Sequence, residues 1–112
     1  MNIVTMAEVG VLATELLLSA GVTVPVWLGR DDKMDPRFHA YVEPHENGFA
    51  IIVTPELLKL NKRKAKKYLK HEVCHIILDA DVIGEKWKEL SVAERDSRHR
   101  AVERCMASRF EQ

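Results

Sequence analysis

Residues 61–80 read NKRKAKKYLKHEVCHIILDA, and this stretch decides the fold. Ala65, Leu69, Val73, Ile76 and Ala80 recur at spacings of three and four, which predicts a helix from Lys62 to about Ala80 with that stripe buried. Asn61 stands where a side-chain oxygen caps a first turn. Inside the helix lies His71-Glu72-Val73-Cys74-His75, an HExxH pattern. Positions i and i+4 of a helix share a face one turn apart, so the two imidazoles can converge on one metal ion with Glu72 beside them. Val73, Ile76 and Ile77 are expected to turn to the core, and His71, Glu72 and His75 away from it.

Upstream, the arms His39–Glu43 and Phe49–Thr54 flank Pro44-His45-Glu46-Asn47-Gly48, where Asn-Gly is expected to supply the positive φ of a tight hairpin. The second arm is apolar on both faces, which predicts a covered strand. Thr54-Pro55 reads as a hydroxyl cap followed by a first-turn proline, opening a short helix through Leu60. Val22–Leu28 is rich in β-formers, but Pro25 lacks a donor and demotes it to an edge or irregular strand, followed by a polar loop over Gly29–Arg37. An amphipathic helix is predicted from about Thr5 to Ala20, ended by Gly21, with Glu8, Glu15 and Ser19 on its wet side and its other face on a sheet.

Downstream, Gly84 lies in a polar connection, and Ser91-Val92-Ala93-Glu94 is a capping box announcing a last helix to about Phe110. The expected architecture is α+β, a single domain over residues 1–112: a small antiparallel sheet with hairpin 39–54, packed with an N-terminal helix, the HExxH helix and a C-terminal helix.

The last helix offers two further donors one turn apart, His99 and Glu103. With Glu103 as ligand, the metal set is His71, His75 and Glu103, and His99 can hydrogen-bond a developing oxyanion. With His99 as ligand, Glu103 stands behind it. Zinc suits nitrogen and carboxylate donors, keeps an open position and lowers the pKa of a water towards ~7, leaving Glu72 as general base. Asp79, one turn after His75, reads equally as an acceptor orienting that imidazole or as a solvated helix end.

Seventeen Lys plus Arg balance 17 Asp plus Glu, so no global field draws the chain to nucleic acid or anionic lipid. The one basic cluster, Lys62–Lys70, reads as a solvated helix surface before a phosphate-binding patch, so nucleic acid is a disfavoured partner. Val9–Ala20 is too short to span a bilayer and follows no Lys or Arg, which argues against a membrane segment or signal peptide. Cys74 and Cys105 are too few for a disulfide framework and read as small packing residues in a reducing cytoplasm, with a buried contact between them allowed. Trp27 and Trp87 read as core or partly buried anchors, Tyr68 as a packing residue that can border a cleft, and His39 and His45 as surface groups, with His45 able to approach a cleft from the turn.

The segments GFAIIVTPELL, HEVCHIIL and HRAVERCMASRF, spanning about Gly48 to Phe110, resemble compact zinc metallopeptidases of the gluzincin type, particularly ImmA/IrrE-like domains and their phage-encoded relatives. That resemblance implies zinc held by His71, His75 and Glu103, with Glu72 as general base. HEVCH after a strand also resembles the SprT-like proteases, which implies a histidine third ligand, here His99, and protein substrates attached to DNA. The expected function is zinc-dependent hydrolysis of a peptide bond in a protein or peptide substrate. Its rival is a non-catalytic module binding metal, DNA or protein.

Overall fold

The structure, a computed structural model, describes residues 3–110. Thr5 and Glu8 form a reciprocal capping box that starts α1 (Met6–Ala20), and Gly21, at φ 74°, ends it in the left-handed conformation that glycine adopts freely. The buried face of this helix, Val9, Leu12 and Leu16, packs chiefly on the HExxH helix rather than on the sheet.

Three strands follow: β1 (Val26–Arg30), β2 (Ala40–His45) and β3 (Gly48–Val53), in the order β1-β3-β2. The β2–β3 hairpin is antiparallel, as expected, but β1 pairs with β3 in parallel, so the sheet is mixed. The single positive φ of the hairpin turn falls on Glu46, at 49°, and not on Asn-Gly. Gly48 meets a different demand. Phe49 N–H donates to Pro25 O at 3.0 Å, and a Cβ on Gly48 would fall inside contact distance of that same carbonyl oxygen. Ala50 to Val53 are all buried, so β3 is the covered central strand that its apolar run predicts, and both edges belong to its neighbours.

Thr54 does not cap α2 (Pro55–Leu58) with its side chain. Its buried hydroxyl instead donates to the carbonyls of Phe38, at 2.8 Å, and His39, at 3.2 Å, tying the start of β2 to the end of β3. Asn61 does cap: its Oδ1 accepts from Lys64 N–H at 2.9 Å and opens α3 (Lys62–Asp79). Ala65, Leu69, Val73 and Ile76 form the buried stripe and join Val9, Leu12, Ile51, Val53 and Leu57 in one core, while Ala80 is exposed as the helix ends. Fully burying a leucine such as Leu69 contributes about 1.5–3 kcal/mol, so this stripe is what holds the HExxH helix in place.

The connection around Gly84 contains one further short helix, α4 (Glu85–Lys88). The Ser91–Glu94 capping box then starts α5 (Val92–Arg109), which packs against α3 while burying only Val102. A disulfide between Cys74 and Cys105 joins the two helices, with Cα atoms 6.0 Å apart. The expected contact between the two cysteines is thus present, and the correction is that it is a covalent bond rather than packing alone, because neighbours on adjoining helix faces sit at disulfide distance. Among the described residues no helix is long and apolar enough to cross a membrane.

Candidate metal centre

The i, i+4 spacing on α3 brings Nε2 of His71 and Nε2 of His75 to 3.0 Å from each other. On the far side of His75, Nδ1 donates to Oδ2 of Asp79 at 2.6 Å. Asp79 is 1% exposed, and its other oxygen accepts from Arg98 at 2.9 Å. A carboxylate held by a guanidinium can only accept, so the proton of His75 is kept on Nδ1 and the lone pair of Nε2 faces His71. Of the two readings of Asp79, the structure bears out the orienting one.

His99 on α5 completes a cluster: ligand atoms of His71, His75 and His99 all lie within 4.8 Å of one another. Donors about 2.0–2.1 Å from a tetrahedral ion lie about 3.3–3.4 Å apart, so small side-chain rotations suffice for the three rings to hold one metal. Burial, helped by the neighbouring imidazoles, lowers the pKa of His71 to about 4, and burial lowers that of His75 against the opposing pull of Asp79. His71 and His75 are therefore held towards the neutral form that a metal requires.

Trp87 walls the cluster, its ring edge-on to His75 at 5.5 Å and to His99 at 5.4 Å between centroids. Sequence reading missed this role. Trp87 lies on a four-residue helix with no periodicity, and only its aromatic bulk shortly before the last helix could have signalled it.

Glu72 is only 7% exposed, contrary to its expected place outside the core. It follows His71 on the flank of the helix that β2 and α5 cover, and burial raises its pKa to about 8. Its carboxyl still borders a cavity of about 300 Å3 that His71, Tyr68, His39 and Glu103 also line. Glu103 thus faces the same cavity as His71 and Glu72, outside the three-imidazole cluster. Tyr68 stacks on His39 with ring centroids 4.2 Å apart, which moves His39 from the surface to the cavity wall. His45 stays away from the centre, against Trp27, which at 38% exposure is a partly buried anchor rather than a core one.

No protein-family model matches the chain, and no curated protein matches it. Among solved structures it is similar to the crystal structure of the metallopeptidase zymogen of Pyrococcus abyssi abylysin, with a TM-score of 0.50 and 16% identity. That likeness covers 93% of this chain and 96% of the other, and at such an identity it is a likeness of fold.

Proposed function

We propose that this protein is a zinc-dependent metallopeptidase that hydrolyses a peptide bond with Glu72 as general base. The observation that carries the reading is the convergence of His71 and His75 beside a buried Glu72, with Asp79 setting the tautomer of His75. The fold shared with a metallopeptidase zymogen supports it.

His71 and His75 would hold the ion with a third donor from α5. When bound, zinc supplies Lewis acidity to the scissile carbonyl and acidifies the attacking water. Glu72, whose pKa burial raises to about 8, would be favoured as the ionised base by a cation held at His71 and His75. Glu72 takes a proton as the water oxygen attacks the carbonyl carbon, then hands it to the amide nitrogen as the C–N bond breaks. β2 begins at the cavity wall and its outer edge is unpaired among the described residues, so an extended peptide can add to it as a further strand.

The gluzincin resemblance implies Glu103 as the third donor, which leaves His99 for the oxyanion, whereas the SprT-like resemblance implies His99. The convergence of His99 with His71 and His75 favours the exchange of those roles. Zinc content of protein purified without chelator, measured with His99→Ala and Glu103→Ala, names the ligand: one variant loses the metal and the other keeps it. Glu72→Gln should retain zinc and lose cleavage of a casein or peptide-library substrate. A folded wild-type protein that neither takes up zinc nor cleaves would overturn the reading.

A further inference from the structure

We infer that the groove between α3 and α5 binds an acidic segment of the polypeptide substrate; this rests on the peptidase reading and adds a substrate class to it. The groove, of about 330 Å3, is lined by Arg63, Lys66, Lys67 and Lys70 on α3 and by Glu103 and Met106 on α5. Lys67, Glu103 and Met106 also line the cavity that holds His71 and Glu72, so the two spaces adjoin. Lys67 stands one turn before His71 on the same helix face, and Arg63 one turn before Lys67.

Four cations meet one carboxylate in this lining, and that carboxylate sits at the end shared with the candidate metal centre. Among the neighbouring cations, Lys59 pairs with Glu56 and Lys62 with Glu8. Arg63, Lys66 and Lys67 are exposed and form no ion pair among the described residues, and Lys70 is engaged over the Phe110 ring at 5.6 Å. A trench with an excess of one sign of charge concentrates the opposite charge and sets binding register.

The lining favours a peptide over nucleic acid. Single-stranded nucleic acid is gripped by a basic track together with aromatic faces on which bases stack; among the described residues the groove itself is lined by no aromatic ring, and Phe38, His39 and Tyr68 line only the adjoining cavity. Its floor is Met106 and Ala107, an aliphatic surface suited to the stems of peptide side chains. From His71 back to Arg63 is eight residues of helix at about 1.5 Å each, about 12 Å, the span of about three to four residues of extended chain. The acidic side chains therefore belong within about four residues of the scissile bond, on one side of it.

The test measures binding apart from turnover. Zinc-loaded Glu72→Gln protein is titrated by fluorescence anisotropy with two labelled peptides of equal length, one carrying a block of Glu and the other Gln in its place. A labelled single-stranded oligonucleotide serves as the third probe. The Glu peptide should bind about tenfold more tightly at low salt, and combined reversal of Arg63, Lys66 and Lys67 to Glu should remove the preference. Lys64→Glu, off the groove, should keep it; Lys67→Ala alone should lower it by severalfold, which covers a triple variant that fails to fold. Equal binding of the two peptides, or a preference that survives the reversals, overturns the inference, as does tighter binding of the oligonucleotide. Wild-type cleavage is scored separately: loss of cleavage with the binding preference intact defeats only the peptidase reading.

Discussion

Nδ1 of His75 and the carboxylate of Asp79 lie 2.6 Å apart, and Arg98 closes the other side of that carboxylate at 2.9 Å. The contact spans one helical turn within α3 and then crosses to α5, so the orientation of a candidate ligand depends on a neighbouring helix. Partners that orient ligand imidazoles typically change metal affinity 10- to 100-fold when lost. Asp79→Asn should therefore weaken zinc binding by about 10- to 100-fold, measured by competition with a chromophoric chelator, while leaving the helical circular dichroism unchanged.

The metal-free protein should be most stable in a window of mildly acidic pH. His71 falls from 6.5 to about 4 on folding, so the unfolded chain binds its proton first and stability drops as pH falls through that interval. Glu72 rises from 4.5 to about 8, so the unfolded chain releases its proton first and stability drops as pH rises through that interval. Between 4.5 and 6.5 the two effects oppose each other; below 4.5 His71 dominates, and from 6.5 to 8 Glu72 does. Urea unfolding across pH 4–8 checks this, and Glu72→Gln should flatten the decline above pH 6.5.

The link between Cys74 and Cys105 closes a long stretch of chain, with 31 residues of sequence separation. Constraining the unfolded chain over such a loop is worth about 3–4 kcal/mol in the chain-entropy account. Reduction, or Cys105→Ser, should lower the unfolding free energy by about that amount. Identical denaturation curves with and without reductant would show that the bond does not form in solution.

Trp87 should report metal binding. Its ring meets both His75 and His99, whereas Trp27 packs on His45 away from the centre. Zinc titration should shift tryptophan emission in the wild type and in Trp27→Phe, and leave Trp87→Phe silent.

The segments legible in the sequence are those whose local chemistry is self-sufficient. The Ser91–Glu94 box marks the last helix, Gly21 the end of the first, and Ala65, Leu69 and Val73 the buried side of α3. The i, i+4 histidines announce their own convergence, because helix geometry alone brings them together. What stayed hidden depends on partners distant in the chain. The parallel alignment of β1 with β3, the diversion of the Thr54 hydroxyl to Phe38 and His39, the burial of Glu72 and the Cys74–Cys105 link all arise from packing between elements. The Asn47-Gly48 turn misled for the same reason, since Gly48 answers the close approach of Pro25 rather than a turn dihedral.

The uneven burial of the two site helices has a dynamic consequence. α3 carries seven buried residues and α5 only Val102. Amides of α5 should then open and exchange with solvent deuterium far sooner than those of α3, as a cooperative unit held to the rest by one covalent tether. An ion gripped by both helices would bridge a rigid body and a loosely held one, and its binding energy would register mainly as slowed exchange along α5.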